Sequence, residues 1–211
     1  MHTPQDVQDA LDSDLAWRRV EMHTILDDAR SARGPRQEAL TRAGVALLYA
    51  HWEGYTKNAL SLYVKFVSRR RLKLNELTPG FAGMAADSEV RRRQKLSNQR
   101  HRTALVQLLM DDSDSRLSIP SKEVNTQGNL NSDLCRELLE TFGLDFEPFV
   151  TKTALIDYNL LRARNDIAHG RWASVRIDDY ESLNSQVLTL IETVRNLVLT
   201  AVDNGGYRRA G

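Results

Sequence analysis

Residues 35–71 read PRQEALTRAGVALLYAHWEGYTKNALSLYVKFVSRRR. Leu40, Ala43, Leu47, Leu48, Trp52, Tyr55, Ala59, Leu62, Tyr63, Phe66 and Val67 recur mostly three and four apart, the spacing of one broad apolar face on an α-helix. Some ten turns of helix make a scaffold on which shorter helices pack. Gly34-Pro35 opens it, with proline suited to a first helical position. Arg69, Arg70 and Arg71 close it, where cations favour the negative end of the helix dipole. The middle, His51-Trp52-Glu53-Gly54-Tyr55-Thr56-Lys57, is a polar cluster interrupted by a glycine. Gly54 admits close approach by either a neighbouring chain segment or a ligand, whereas Gly44, which has no polar cluster around it, reads as a packing notch. His51 and Glu53 stand about 200° apart on the wheel, so one faces the core and the other solvent or a partner.

The same periodicity extends outward. Residues 7–30 form a first helix with Val7, Leu11, Leu15, Val20, Ile25 and Leu26 as its apolar stripe. Residues 74–87, with Pro79-Gly80 and Gly83, read as a loop, and residues 88–110 as a third helix. Residues 111–131 are a long connection in which Ser118-Ile119-Pro120 suits a short extended piece. Helices follow at 132–142, stopped by Gly143, at 149–169, and at 179–203 with Asp178 as its cap. The expectation is all-α, a helical bundle with a long central helix and extended loops: one domain over residues 1–204 and a flexible tail over 205–211.

Composition narrows the class. Of 211 residues, 41% are hydrophobic and only five are proline, which suits a helical protein better than a sandwich or a disordered chain. The single Cys135 excludes an intramolecular disulfide and a cysteine-rich zinc site, and it reads as a buried apolar residue. No apolar run of about 18 residues is present to cross a bilayer, and the first residues are polar and acidic, so no membrane association and a cytoplasmic location are expected. A net charge of +1 decides nothing about nucleic acid, but its distribution is uneven. Arg69 and Arg70 end one helix, and Arg91, Arg92, Arg93 and Lys95 begin another across the intervening loop. These cations are either a solvated face or one phosphate-attracting, RNA-binding surface.

The chemistry concentrates in residues 160–171, LLRARNDIAHGR. On an ideal helix Arg162, Asn165 and His169 share a face, while Arg164 stands about 140° from His169. A left-handed cap at Gly170 lets the last turn depart from that ideal and bring Arg164 nearer. A helix C-terminus favours the cationic imidazole, and a guanidinium grips a phosphate with two hydrogen bonds. Such a group can cleave RNA without a metal: a base takes the 2′-hydroxyl proton, an arginine stabilises the phosphorane, and an acid protonates the leaving 5′-oxygen. One histidine serves both proton transfers poorly, and two copies about a twofold axis supply a second. The alternative is a capping histidine beside arginines paired with Asp157, Asp166 or Glu53. No His-Glu-x-x-His pattern or carboxylate cluster suited to a metal occurs, and no cofactor is expected.

Arg164-Asn165-Asp166-Ile167-Ala168-His169 resembles the Arg-x4-His signature of the HEPN superfamily. Further similarity, to its bacterial RiboL-PSP-HEPN group, runs through His51-Trp52-Glu53, Lys57, Gly128-Asn129-Leu130-Asn131 and Ala168-His169-Gly170, covering most of residues 35–200. The resemblance implies a helical domain that dimerises across a cleft between motif helices. In active members it implies a metal-independent endoribonuclease leaving 2′,3′-cyclic phosphate and 5′-hydroxyl ends. Carried over by position, Arg164 and His169 are the catalytic pair and Asn165 their support, with Glu53, Lys57, Arg162 and His51 lining or supporting the cleft. A toxin or antiviral defence effector, acting on RNA and partnered by an antitoxin protein, is the leading expectation. A noncatalytic HEPN module binding RNA, a nucleotide or a partner protein is the alternative.

Overall fold

The computed structural model describes residues 2–93, 97–111, 114–120, 124–171 and 174–209. Its helices in chain order are α1 (Pro4–Ser31), α2 (Gly34–Ser68), α3 (Pro79–Arg93), α4 (Asn98–Asp111), α5 (Ser132–Thr141), α6 (Ala163–Ala168) and α7 (Ile177–Asn204). Two 3₁₀ turns, Leu74–Glu76 and Glu147–Lys152, and a π-helical stretch, Leu155–Arg162, complete the set. Among the described residues there is no strand, only an isolated antiparallel bridge between Leu77 and Arg208. The all-α bundle built on a long helix is therefore observed.

Thr3 starts α1 through a reciprocal cap. Its hydroxyl accepts the Asp6 N–H at 3.1 Å and its own N–H donates to the Asp6 carboxylate at 3.2 Å, with Pro4 next in line. The buried positions Val7, Leu11, Leu15, Arg18, Met22, Leu26 and Ala29 step by four and three. Val20, expected in that stripe, is 67% exposed. Its place on the ladder belongs to Arg18, whose guanidinium lies 4.5 Å from the centre of the Trp17 ring and donates to Asp14 at 3.1 Å. Gly54 makes room for that guanidinium: a Cβ there would sit 3.1 Å from Arg18 Nη1, so the glycine admits a neighbouring helix.

Helix α2 is central. It packs on α1 and α7 to form the core of three long helices, and on its other side it carries α6 and the π-helical stretch. Trp52, Tyr55, Tyr63 and Phe66 are almost wholly buried along it. Gly44 is the notch that receives the Tyr180 ring of α7, which a Cβ would meet at 2.3 Å. His51 turns toward α1, with Nδ1 3.3 Å from Arg18 Nη1, Nε2 3.1 Å from the Glu21 carboxylate, and its ring edge-on to Trp17. Cys135 is fully buried, and burial pushes its thiol up to about 12.

Several boundaries differ from the sequence reading for identifiable reasons. The expected loop over residues 74–87 holds the start of α3, because Pro79 occupies a helix start and Gly80 lies against the Thr141 carbonyl, 1.7 Å from where a Cβ would be. The expected single helix over 88–110 is two helices. Ala86 and Val90 of α3 share a small apolar cluster with Leu108 of α4, whereas 18 residues of straight helix would hold Val90 and Leu108 about 27 Å apart. Helix α7 is preceded by Arg176 as its cap residue, with Asp178 inside the first turn, where a carboxylate still favours the positive end. The expected flexible tail is docked as far as Arg209. Tyr207 is buried against Tyr63 and Phe66, its carbonyl accepts the Thr78 N–H at 3.0 Å, and the Arg209 N–H donates to Glu76 at 2.9 Å. No helix among the described residues is long and apolar enough to cross a membrane.

Gly44→Ala should cost about 1–3 kcal/mol by forcing Tyr180 from its notch, read as a lower urea midpoint. A second expectation concerns acid. Burial, and then the Arg18 charge, holds His51 below an imidazole's ordinary 6.5, so the unfolded chain binds the proton more readily. Stability present above pH 6.5 should therefore fall as the pH drops below it. His51→Gln should flatten the decline in thermal midpoint between pH 7 and 5, a window above the one in which the lowered carboxylates Asp12, Asp87 and Glu89 act.

Candidate active site

The polypeptide reaches the site through an irregular helix. Pro148 opens the 3₁₀ turn, and the π-helical stretch then buries Leu155, Ile156 and Leu160. Five-residue spacing between Leu155 and Leu160 fits the wider π turn, which ends where the Ala163 N–H bonds to the Tyr158 carbonyl. Within it the Asp157 carboxylate accepts the Ser132 N–H at 2.7 Å and the Ser132 hydroxyl at 2.6 Å. Asn131 caps α5 through the Leu134 N–H at 2.8 Å. Together these contacts stitch the chain before α5 to the helix that carries the motif.

Regular α geometry resumes at Ala163 and ends at His169. Gly170 takes φ +70°, its N–H bonds to Ile167 at 3.1 Å, and the Arg171 N–H reaches back to Asp166 at 2.8 Å. This pair of bonds is a Schellman cap, and a left-handed residue is what it requires. The Asp166 carboxylate pairs with Arg171 at 2.8 Å, and the Arg171 carbonyl accepts from Arg42 at 3.2 Å. The last turn is therefore secured from two sides. It leaves the His169 side chain exposed, with no hydrogen-bond partner among the described residues.

The two arginines part company. Arg164 is half-buried, its Cζ 4.1 Å from the centre of the Tyr49 ring and its Nη2 donating to the Gly128 carbonyl at 2.5 Å. Arg162 is exposed and has no partner among the described residues. Asn165 is half-buried on the same helix. The Tyr49 hydroxyl accepts the Leu130 N–H at 2.7 Å, and burial pushes it up to about 12, with Glu53 adding to the shift and Arg164 opposing it. Tyr49, Glu53 and Lys57 succeed one another at four-residue steps on α2, and one Glu53 carboxylate oxygen is buried without a hydrogen-bond partner among the described residues.

The structure thus brings Arg164 to Tyr49, Gly128 and Leu130, and it leaves Arg162 and His169 on the exposed side of the same helix. His51 is not part of this cluster, since its neighbours are on α1. Asp157 and Asp166 are engaged by Ser132 and Arg171. Sequence reasoning missed Tyr49, although its four-residue step to Glu53 was a usable signal. It also passed over the roles of Gly128 and Asp157, for which no local signal exists.

The basic residues are largely answered nearby. Arg91 pairs with Asp87 at 2.8 Å, and Arg92 and Arg93 both pair with Glu89, at 2.7 and 2.5 Å. Arg69 lies 2.7 Å from the His2 ring, and Arg70 donates to the His2 carbonyl while stacking on Phe66. All five sit at least partly exposed, and Lys95 lies outside the described residues. Among the described residues no group of three or more His, Cys, Asp or Glu side chains is placed to hold a metal ion.

A family model described as MAE_28990-like HEPN matches residues 7–207. The sequence resemblance pointed to the same superfamily through its RiboL-PSP-HEPN group. No curated protein and no solved structure matches the chain.

Tyr49→Phe removes the acceptor of a buried N–H and should cost about 1–3 kcal/mol. Leu130 amide exchange should quicken with it, and an unchanged exchange rate would show that the hydroxyl does not hold that segment.

Proposed function

Because the chain belongs to the HEPN superfamily, which supports a role on RNA, we propose that it is a metal-independent endoribonuclease. The observation that carries this reading is the exposed imidazole of His169, without a partner among the described residues, at the end of a helix that also bears Arg162, Arg164 and Asn165. In the proposed reaction His169 takes the proton of a 2′-hydroxyl. The 2′-oxygen attacks the adjacent phosphorus and the bond to the 5′-oxygen breaks. That oxygen leaves with a proton, giving a 2′,3′-cyclic phosphate and a 5′-hydroxyl end. The second proton transfer falls to His169 of another copy, so the working unit is a homodimer with a composite cleft.

Arginine supplies the charge that the phosphorane demands. Arg164, the motif arginine, is already immobilised by Tyr49 and Gly128, so little rotamer freedom remains to be lost. Arg162 shares the exposed side with His169 and is the competing phosphate ligand. Glu53 and Lys57 follow Tyr49 one and two turns along α2, and Arg69, Arg70, Arg91, Arg92 and Arg93 offer an outer RNA-attracting surface. A cleaving enzyme of this kind fits a toxin or antiviral defence effector restrained by an antitoxin. One observation favours the alternative of a noncatalytic module binding RNA, a nucleotide or a partner protein: the Arg164 guanidinium is engaged with Tyr49 and Gly128 rather than standing free beside His169.

Purified protein in EDTA should cleave total RNA or tRNA to ends that map as cyclic phosphate and 5′-hydroxyl. His169→Ala should lower the rate about 10²- to 10⁴-fold. Intact RNA, or undiminished cleavage by His169→Ala, would remove the nuclease reading. Arg162→Lys and Arg164→Lys, compared for kcat at unchanged folding, identify the phosphate ligand, since lysine keeps the charge but not the bidentate grip.

A further inference from the structure

Five of the six tyrosines are at most 6% exposed, whereas Tyr158 is 62% exposed. It has no ring, hydrogen-bond or cation partner among the described residues. Among the described residues the other large exposed aromatic, Trp17, is occupied: its indole N–H donates to Asp14 at 2.9 Å and Arg18 covers its face. Tyr158 therefore stands out as an open π-face. Its position matters as much as its exposure. Tyr158, Arg162, Asn165 and His169 are four, three and four residues apart, which keeps them on one side of a helix whose opposite side buries Leu155, Ile156 and Leu160. Tyr158, Arg162 and His169 are all exposed along that side.

An exposed aromatic in line with an unpaired guanidinium and an imidazole is the pattern that holds single-stranded nucleic acid. The cations meet the phosphates, and the ring receives a base whose face is free. We propose that Tyr158 is a stacking platform for one unpaired base of the RNA strand that crosses Arg162 and His169, so the substrate is single-stranded RNA, a loop or a bulge. In a regular A-form duplex the base faces are covered by their neighbours and the ring has nothing to stack on. A neutral peptide would leave Arg162 unanswered.

This inference rests on the RNA reading of the same edge but not on cleavage. Binding is measured with His169→Ala, which prevents turnover, on a labelled single-stranded RNA of about ten nucleotides and on the blunt duplex of the same sequence. Adding Tyr158→Ala should weaken single-strand binding roughly tenfold or more, leaving duplex binding and the sedimentation mass unchanged. Tyr158→Phe and Tyr158→Trp should bind like the tyrosine protein, because each keeps a π-face. Equal single-strand affinity for Tyr158→Ala would overturn the proposal. So would a change of mass on that substitution, which would make the Tyr158 ring a contact between copies. If the parent protein cleaves no RNA but binds single strands through Tyr158, the nuclease reading falls and the stacking platform stands. If it cleaves RNA with Tyr158→Ala as efficient as the parent, the reverse holds.

Discussion

Burial of α2 on opposite sides is the constraint on which the other elements depend. One side sets Gly44 against Tyr180 of α7 and Tyr55 against α1, where its hydroxyl donates to the Leu11 carbonyl. The other presents Tyr49 to the chain around Leu130 and to Arg164. A helix buried that fully cannot shift along its axis without emptying packed positions on both sides, each costly in a close-packed interior. The motif helix α6 is thereby referenced to the core through the Tyr49 ring, beside the apolar packing of Ala163 and Ile167. Arg164 stacks on that ring, Leu130 hydrogen-bonds its hydroxyl, and Gly128 accepts from Arg164. Three segments distant in sequence meet there.

The irregular helix before α6 sets which side chains emerge. A π turn inserts one extra residue per turn and so rotates the residues beyond it relative to those before it. Asp157 stabilises the π stretch from outside by taking both donors of Ser132, and the Schellman cap at Gly170 terminates the helix at His169. Between those two devices only six residues are regular α-helix. The two arginines, two residues apart, fall on different sides, one turned under Tyr49 and Gly128, the other outward with His169 and Tyr158.

Charge is distributed by local answers. Arg18 has Asp14, Arg195 has Asp12, and the arginine run of α3 has Asp87 and Glu89 within its own helix. The exposed pairs among these, those of α3, contribute little to stability, about 0.2–1 kcal/mol each, and salt screens them. They lower the free positive charge that the α3 run offers to a polyanion. Arg162 has no such pairing among the described residues, so its charge beside His169 stays unanswered, unlike that of the α3 run.

By itself the sequence determined the helical class, the long central helix, the capping glycine after His169 and the superfamily. These come from local spacing and from a short motif, and both survive in one dimension. Asp166 and Gly170 could be read as the end of a helix because capping is a contact among near neighbours. Only the tertiary structure decided where α3 begins, that residues 88–110 are two helices, that the tail docks through Tyr207, and that Arg18 replaces Val20 in the buried stripe. Each depends on a partner far along the chain: Thr141 for Gly80, Leu108 for Val90, Phe66 for Tyr207, Gly54 for Arg18. The site divided the same way. His169 at a helix end, with Arg162 on its face and Arg164 apart, was legible from helical spacing, but the partners that hold Arg164, Tyr49 and Gly128, were not. A π turn needs no distinctive residue in the sequence and is held by Asp157 reaching Ser132 across 25 positions.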